Sequence, residues 1–205
     1  MTFVKVCGMT NVADARAAAE AGADAVGLIF AESPRQIGFE EARKVSIALP
    51  EDVLKVGVFV NEEPPEILRV AREVGLDVAQ LHGDETPGTV AEIRSAGLAV
   101  MKAVRVRNAE DLAAEVEGFD ADLYLLDAYS DRVRGGTGRT FDWGMAKSLI
   151  GRGNIVVSGG LGPENVRAAI DFFEPYGVDA SSSLEDTPGK KNEESVRRFI
   201  VAAKG

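Results

Sequence analysis

Short apolar runs alternate with amphipathic stretches from one end of the chain to the other, recurring every ~20 to 30 residues, a spacing that marks strand and helix in turn. The strand candidates are "FVKVC" (3–7), "AVGLIF" (25–30), "KVGVFV" (55–60), "VAQLH" (78–82), "AVMKAV" (99–104), "LYLLD" (123–127), "NIVVSG" (154–159) and "GVDAS" (177–181). Between them lie segments with helical spacing that open on a capping residue or an early proline, among them "TNVADARAAAEAGA", "NEEPPEILRVAREVG", "GPENVRAAIDFF" and the closing "KNEESVRRFIVAAK". Gly22, Gly75 and Gly97 stand where helix C-termini are expected. Eight strands, each followed by a helical segment, is the count of a (β/α)8 TIM barrel. A doubly wound open sheet more often has five or six strands and would leave two units spare. No linker, composition break or low-complexity tract divides the chain, so residues 1–205 are expected to form a single barrel domain.

Composition narrows the surroundings without changing that picture. Apolar residues make up 45%, no apolar run approaches the ~20 residues of a membrane span, and no signal-peptide pattern opens the chain. One cysteine excludes an internal disulfide and fits a reducing cytoplasm. With one cysteine and one histidine, the usual ligand cluster of a zinc site is missing, so no metal is expected. The formal net charge of −10 argues against non-specific nucleic-acid binding, yet leaves room for a small anionic substrate held by a few local donors.

In a barrel of this kind the chemistry sits at the C-terminal ends of the strands. Two glycines, Gly159 and Gly160, separate the seventh strand from a helix start near Pro163, an arrangement that lets backbone N–H groups approach a phosphate. Loop eight adds Asp179 and the serines Ser181, Ser182 and Ser183, and loops seven and eight together are the usual phosphate grip of the fold. Each segment taken alone reads equally well as a tight turn or a solvated loop. Asp127 ends the apolar "LYLLD" run. It is placed for acid catalysis, or else it anchors the following loop with Arg132, Arg134 and "GGTGRTFDW".

Cys7 ends strand one. It reads as a small buried hydrophobe or as a reactive thiol, and Lys5, on the same strand face, would pull the thiol toward ionisation. His82 is a contact at the mouth or a polar residue closing strand four. Arg35 is a solvated arginine or a carboxylate clamp. The acidic "NEEPPE" (61–66) is most simply a capped helix start.

Nine segments in order, "KVCGMT", "GADAVGLIF", "SPRQI", "KVGVFVN", "AQLHG", "LLDA", "GGTGRTFDW", "SGGLGPENV" and "VDASS…PGKK", cover essentially the whole chain. In them the sequence resembles the phosphoribosylanthranilate isomerase family of tryptophan biosynthesis. The resemblance implies an Amadori rearrangement of a small sugar-phosphate substrate, without cofactor or metal, by a monomer or homodimer. It implies Cys7 as general base, Asp127 as general acid and Arg35 beside the anthranilate carboxylate. Lys5 and His82 are expected near the substrate, and Gly159, Gly160, Asp179, Ser181 and Ser182 around its phosphate. Ser183 departs from the family, which usually has glycine there; if that glycine used a positive φ, the serine would alter the backbone of the phosphate loop. Asn192, where the family often has aspartate, would serve equally as a helix cap. A histidine-pathway aminosugar-phosphate isomerase is the alternative, though it would be expected to carry aspartate where strand one ends in Cys7. A barrel that binds a phosphate ligand without catalysis is the other.

Overall fold

The computed structural model describes residues 1–106, 109–128 and 143–205, and these form a closed barrel of eight parallel strands in chain order, with strand eight paired back to strand one. The strands are β1 (Phe3–Cys7), β2 (Ala25–Ile29), β3 (Leu54–Phe59), β4 (Val78–Leu81), β5 (Ala99–Val106), β6 (Leu123–Ala128), β7 (Ile155–Val157) and β8 (Gly177–Ala180). Each expected strand is present, with ends shifted by up to two residues. Helices α1 (Val12–Glu20), α2 (Phe39–Ala48), α3 (Pro64–Val74), α4 (Pro87–Ser95), α5 (Ala109–Gly118), α6 (Val166–Phe173) and α7 (Glu193–Lys204) run between the strands and close the chain. After β6 the described residues carry a 3-10 segment, Trp143–Leu149, in place of an α-helix. Arg132, Arg134 and all of "GGTGRTFDW" except its tryptophan lie outside the described residues. No described helix is long and apolar enough to cross a membrane.

Helix α3 illustrates how sequence dictates the outer layer. Pro64 and Pro65 occupy its first turn, where a missing N–H costs nothing, and Gly75 ends it in the left-handed conformation at φ +80°. Ile67, Val70, Ala71 and Val74 fall on one stripe and are buried. Ile67 is fully buried, so truncation to alanine would cost about 2–5 kcal/mol. The cap reading of Asn192 holds: its Oδ1 accepts from the Ser195 N–H at 2.8 Å.

Strand alternation sorts the interior. Val4 and Val6 face the helices, while Phe3, Lys5 and Cys7 face the barrel axis. The lower interior is apolar, filled by Ala25, Val56, Val78, Met101, Leu125 and Val156. Two residues beyond Val78, Leu125 and Val156 the inward positions turn polar, at Gln80, Asp127 and Ser158, and β8 adds Asp179. That change of layer creates the floor of the site. The register Lys5↔Asp179 between β1 and β8, and Cys7↔Gly27 between β1 and β2, sets the neighbours of the first strand.

Candidate active site

A cavity of about 1170 Å³ opens at the C-terminal ends of the strands. Cys7 and Asp127 both line it, as do Arg35 and His82. The Gly159–Gly160 turn and the serines 181 to 183 form another wall. Lys5 is the one expected site residue that does not line it.

Cys7 is buried, and the space beside its Sγ exists because the facing residue is Gly27: a Cβ there would lie 2.5 Å from the sulfur. Beneath it, Lys5 Nζ lies 2.9 Å from Asp179 Oδ1, and Ser158 Oγ donates to Asp179 Oδ2 at 3.3 Å. Lys5 is fully buried and paired with Asp179 under the cavity floor. Asp179 lines the cavity, and both its oxygens already accept hydrogen bonds, from Lys5 and Ser158. Its visible work is to neutralise Lys5.

The ionisation of Cys7 also differs from the sequence expectation. Burial pushes the thiol up; Lys5 and Lys191 pull the other way, Asp179 reinforces the rise, and the net direction is upward. Burial acts to lower the Lys5 ammonium, but Asp179 and Cys7 override it and hold it raised. Lys5 therefore moderates the rise without reversing it.

Arg35 folds over the tip of β1, with its Cδ 2.8 Å from where a Cβ on Gly8 would stand. Its Nε and Nη2 donate to the Glu185 carboxylate at 2.8–2.9 Å, and Lys191 Nζ bonds the same carboxylate at 2.8 Å. Burial would raise Glu185, but the two cations hold it below the ordinary carboxylate range; burial lowers Lys191. Glu185 belongs to a short hairpin, β9 (Glu185–Thr187) with β10 (Lys190–Lys191), which the sequence reading missed because two- and three-residue strands leave no periodic signal. The guanidinium is thus clamped at the cavity wall through Nε and Nη2.

Across the cavity, Asp127 Oδ2 lies 3.2 Å from His82 Nε2, and His82 Nδ1 lies 3.0 Å from Gln80 Nε2, all three residues buried. His82 is accordingly a neighbour of the expected acid. The loop that carries it is set by a buried cluster. Lys102 Nζ bonds the carbonyls of Leu81 (3.3 Å) and Gly83 (2.9 Å) and the Glu85 carboxylate (2.9 Å). Glu85 in turn accepts from the N–H groups of Gly83 and Asn61 at 2.9–3.0 Å. Burial would raise the Glu85 carboxyl, but Lys102 and these donors hold it low. Asn61 sits at φ +53°, a conformation asparagine tolerates, and its side chain accepts the Asp84 N–H at 2.7 Å. The segment 61–66 therefore does more than start a helix. A lysine inside the apolar "AVMKAV" run was the available sign of this cluster.

In the phosphate-loop candidates, Gly159 and Gly160 have φ of +82° and +66°, which side-chain-bearing residues rarely adopt. Ser181 Oγ is buried without a hydrogen-bond partner among the described residues. Ser183 does not itself take a positive φ. It lies in a right-handed 3-10 turn, Ser182–Leu184, and the positive-φ non-glycine residues described are Asn61 and Glu174. Its hydroxyl donates to the Leu161 carbonyl and so ties loop eight to loop seven.

Comparison with known proteins places the chain in a family. The family model described as N-(5'phosphoribosyl)anthranilate (PRA) isomerase matches residues 4–202. An N-(5'-phosphoribosyl)anthranilate isomerase of Rubrobacter xylanophilus is 63% identical over 206 residues, covering all of both chains. The crystal structure of phosphoribosyl anthranilate isomerase from Thermotoga maritima superposes with a TM-score of 0.91 at 44% identity, again over all of both chains. A phosphoribosyl anthranilate isomerase in complex with reduced 1-(o-carboxyphenylamino)-1-deoxyribulose 5-phosphate gives 0.88 at 44% identity with the same coverage. The chain belongs to the N-(5'-phosphoribosyl)anthranilate isomerase family and is an isomerase with the TIM-barrel fold.

Proposed function

We propose that the protein converts N-(5-phosphoribosyl)anthranilate to 1-(2-carboxyphenylamino)-1-deoxyribulose 5-phosphate, an Amadori rearrangement in tryptophan biosynthesis. The observation that carries the assignment of roles is one cavity walled by a thiol on β1, a carboxyl group on β6 and the paired glycine and serine loops after β7 and β8. Asp127, protonated, gives its proton to the furanose ring oxygen as the C1–O bond breaks and the anilino nitrogen lone pair forms the Schiff base. Cys7, as thiolate, removes the proton from C2. The electrons of that C–H bond flow toward the iminium, giving an enolamine that tautomerises to the ketone. The substrate's own nitrogen is the electron sink, so the sequence of steps needs no redox group. Gly159, Gly160, Ser181 and Ser182 hold the phosphate, and Arg35, steadied by Glu185, faces the anthranilate carboxylate.

A thiol pushed up by burial is less ionised at neutral pH, but once ionised it is the stronger base toward a carbon acid. The assignment is tested by Cys7→Ser and Asp127→Asn, assayed on freshly made substrate and by complementation of a tryptophan auxotroph lacking the isomerase. Each substitution should lower kcat by about 10²- to 10⁴-fold. Near wild-type turnover in both would overturn the roles, and failure of the soluble wild-type protein to complement would overturn the substrate.

A further inference from the structure

Gln80 took no part in the reading of the sequence, yet it is the residue on which the acid side of the cavity ends. It points inward on β4, two residues above Val78 and two below His82, so the three share one face of the strand. It is 1% exposed, and a buried amide at a barrel-interior position is costly unless it is hydrogen-bonded. Among the described residues its side chain makes a single hydrogen bond, Nε2 to His82 Nδ1 at 3.0 Å, while its Oε1 has no partner.

The donor and acceptor senses follow. An amide Nε2 can only donate, so His82 Nδ1 must accept. A neutral His82 then carries its proton on Nε2, and that N–H donates to Asp127 Oδ2 across 3.2 Å. With Oδ2 occupied as an acceptor, the proton of a protonated Asp127 belongs on its other oxygen. When Asp127 gives that proton up, the carboxylate formed already has a donor aimed at it, with no reorganisation needed. The opposite amide orientation would place Oε1 against Nδ1–H and turn Nε2 into an acceptor. The acid proton would then be drawn toward His82 and away from the substrate.

We propose that Gln80 is a positioning residue that fixes the Nε2–H tautomer of His82, and that His82 thereby stabilises the carboxylate left when the acid on β6 has donated. The inference rests on the assignment of Asp127 as that acid.

His82 is the only histidine in the chain, so protein labelled with ¹⁵N in the imidazole ring yields one pair of ring-nitrogen resonances. The wild-type spectrum should show Nε2 protonated and Nδ1 bare. Gln80→Leu should lose the single-tautomer pattern and lower kcat by about 10- to 100-fold, with KM little changed. Gln80→Glu, whose carboxylate can only accept, should move the proton onto Nδ1. A wild-type spectrum with the proton on Nδ1 overturns the proposal, as does a Gln80→Leu protein that keeps both the wild-type pattern and the wild-type kcat. Should Gln80→Leu fail to fold by circular dichroism, the wild-type and Gln80→Glu spectra decide alone. Full activity of Asp127→Asn would defeat the acid assignment but leave the tautomer result standing, so the two failures are separable.

Discussion

On the β1 and β8 side of the cavity, Cys7 stands over the buried Lys5–Asp179 pair, and Arg35 shares Glu185 with Lys191. On the β4 and β6 side, Asp127 is joined through the ring of His82 to the neutral amide of Gln80. The first wall is organised by full charges in a low-dielectric interior, where each ion needs its partner to offset lost hydration. The second meets the cavity through a line of hydrogen bonds whose senses are set link by link, its one buried ion pair described, Lys102–Glu85, standing behind the loop after β4. Damage to the buried ion pairs of the first should therefore register mainly as lost stability, and damage to the hydrogen-bonded line of the second mainly as lost turnover.

The sharpest way to break that contrast is Lys5→Met, which leaves Asp179 buried without its cation. It should cost about 3–5 kcal/mol in urea unfolding. The double variant Lys5→Met with Asp179→Leu should recover much of that loss, since no uncompensated ion remains; a double variant as unstable as the single would show that the pair is not what matters.

A second test concerns pH. The base works deprotonated, and its thiol is displaced upward, so the thiolate fraction, read as the alkylation rate of the single cysteine, should climb about tenfold per pH unit at neutral pH. The climb should continue beyond pH ~8.5, where an ordinary thiol is half ionised. The groups that set the displacement are burial, Lys5, Asp179 and Lys191, all on the charged wall. A profile already flat at pH 8 would mean the thiol of the free protein is not raised.

The smallest effect is expected at Ser183→Gly, which removes the hydroxyl tying loop eight to the Leu161 carbonyl without relieving any backbone strain. Stability should fall by about 0.5–1.5 kcal/mol, with a modest rise in KM. A gain in stability would revive the idea that serine is strained at this position.

Much of the barrel was legible because its signals are local. Runs such as "LYLLD" and "KVGVFV" declare strands by length and side-chain type, and the proline–proline start and glycine end of α3 declare its bounds. The placement of Cys7, Asp127, Gly159 and Gly160 at the strand ends followed from counting strands. The partners of those groups were not legible. Lys5 was expected to act on the thiol from one strand face, but its first partner, Asp179, lies 174 residues away and meets it only when β8 closes onto β1. Arg35 meets Glu185 across 150 residues for the same reason. Gln80 passed unnoticed because glutamine is ordinary on a solvated face; its spacing of two from His82 was the available clue.

By itself, then, the sequence determined the number and order of strands, the layer that each strand-end residue occupies and the family to which the motifs point. Side-chain period, capping and turn chemistry act over a few residues and survive reading in one dimension. Only the tertiary structure decided which charges neutralise one another beneath Cys7, that burial outweighs Lys5 in setting the thiol, and that His82 stands between Gln80 and Asp127. Those depend on distances of a few ångströms between residues far apart in the chain, and closure of the barrel is what creates them.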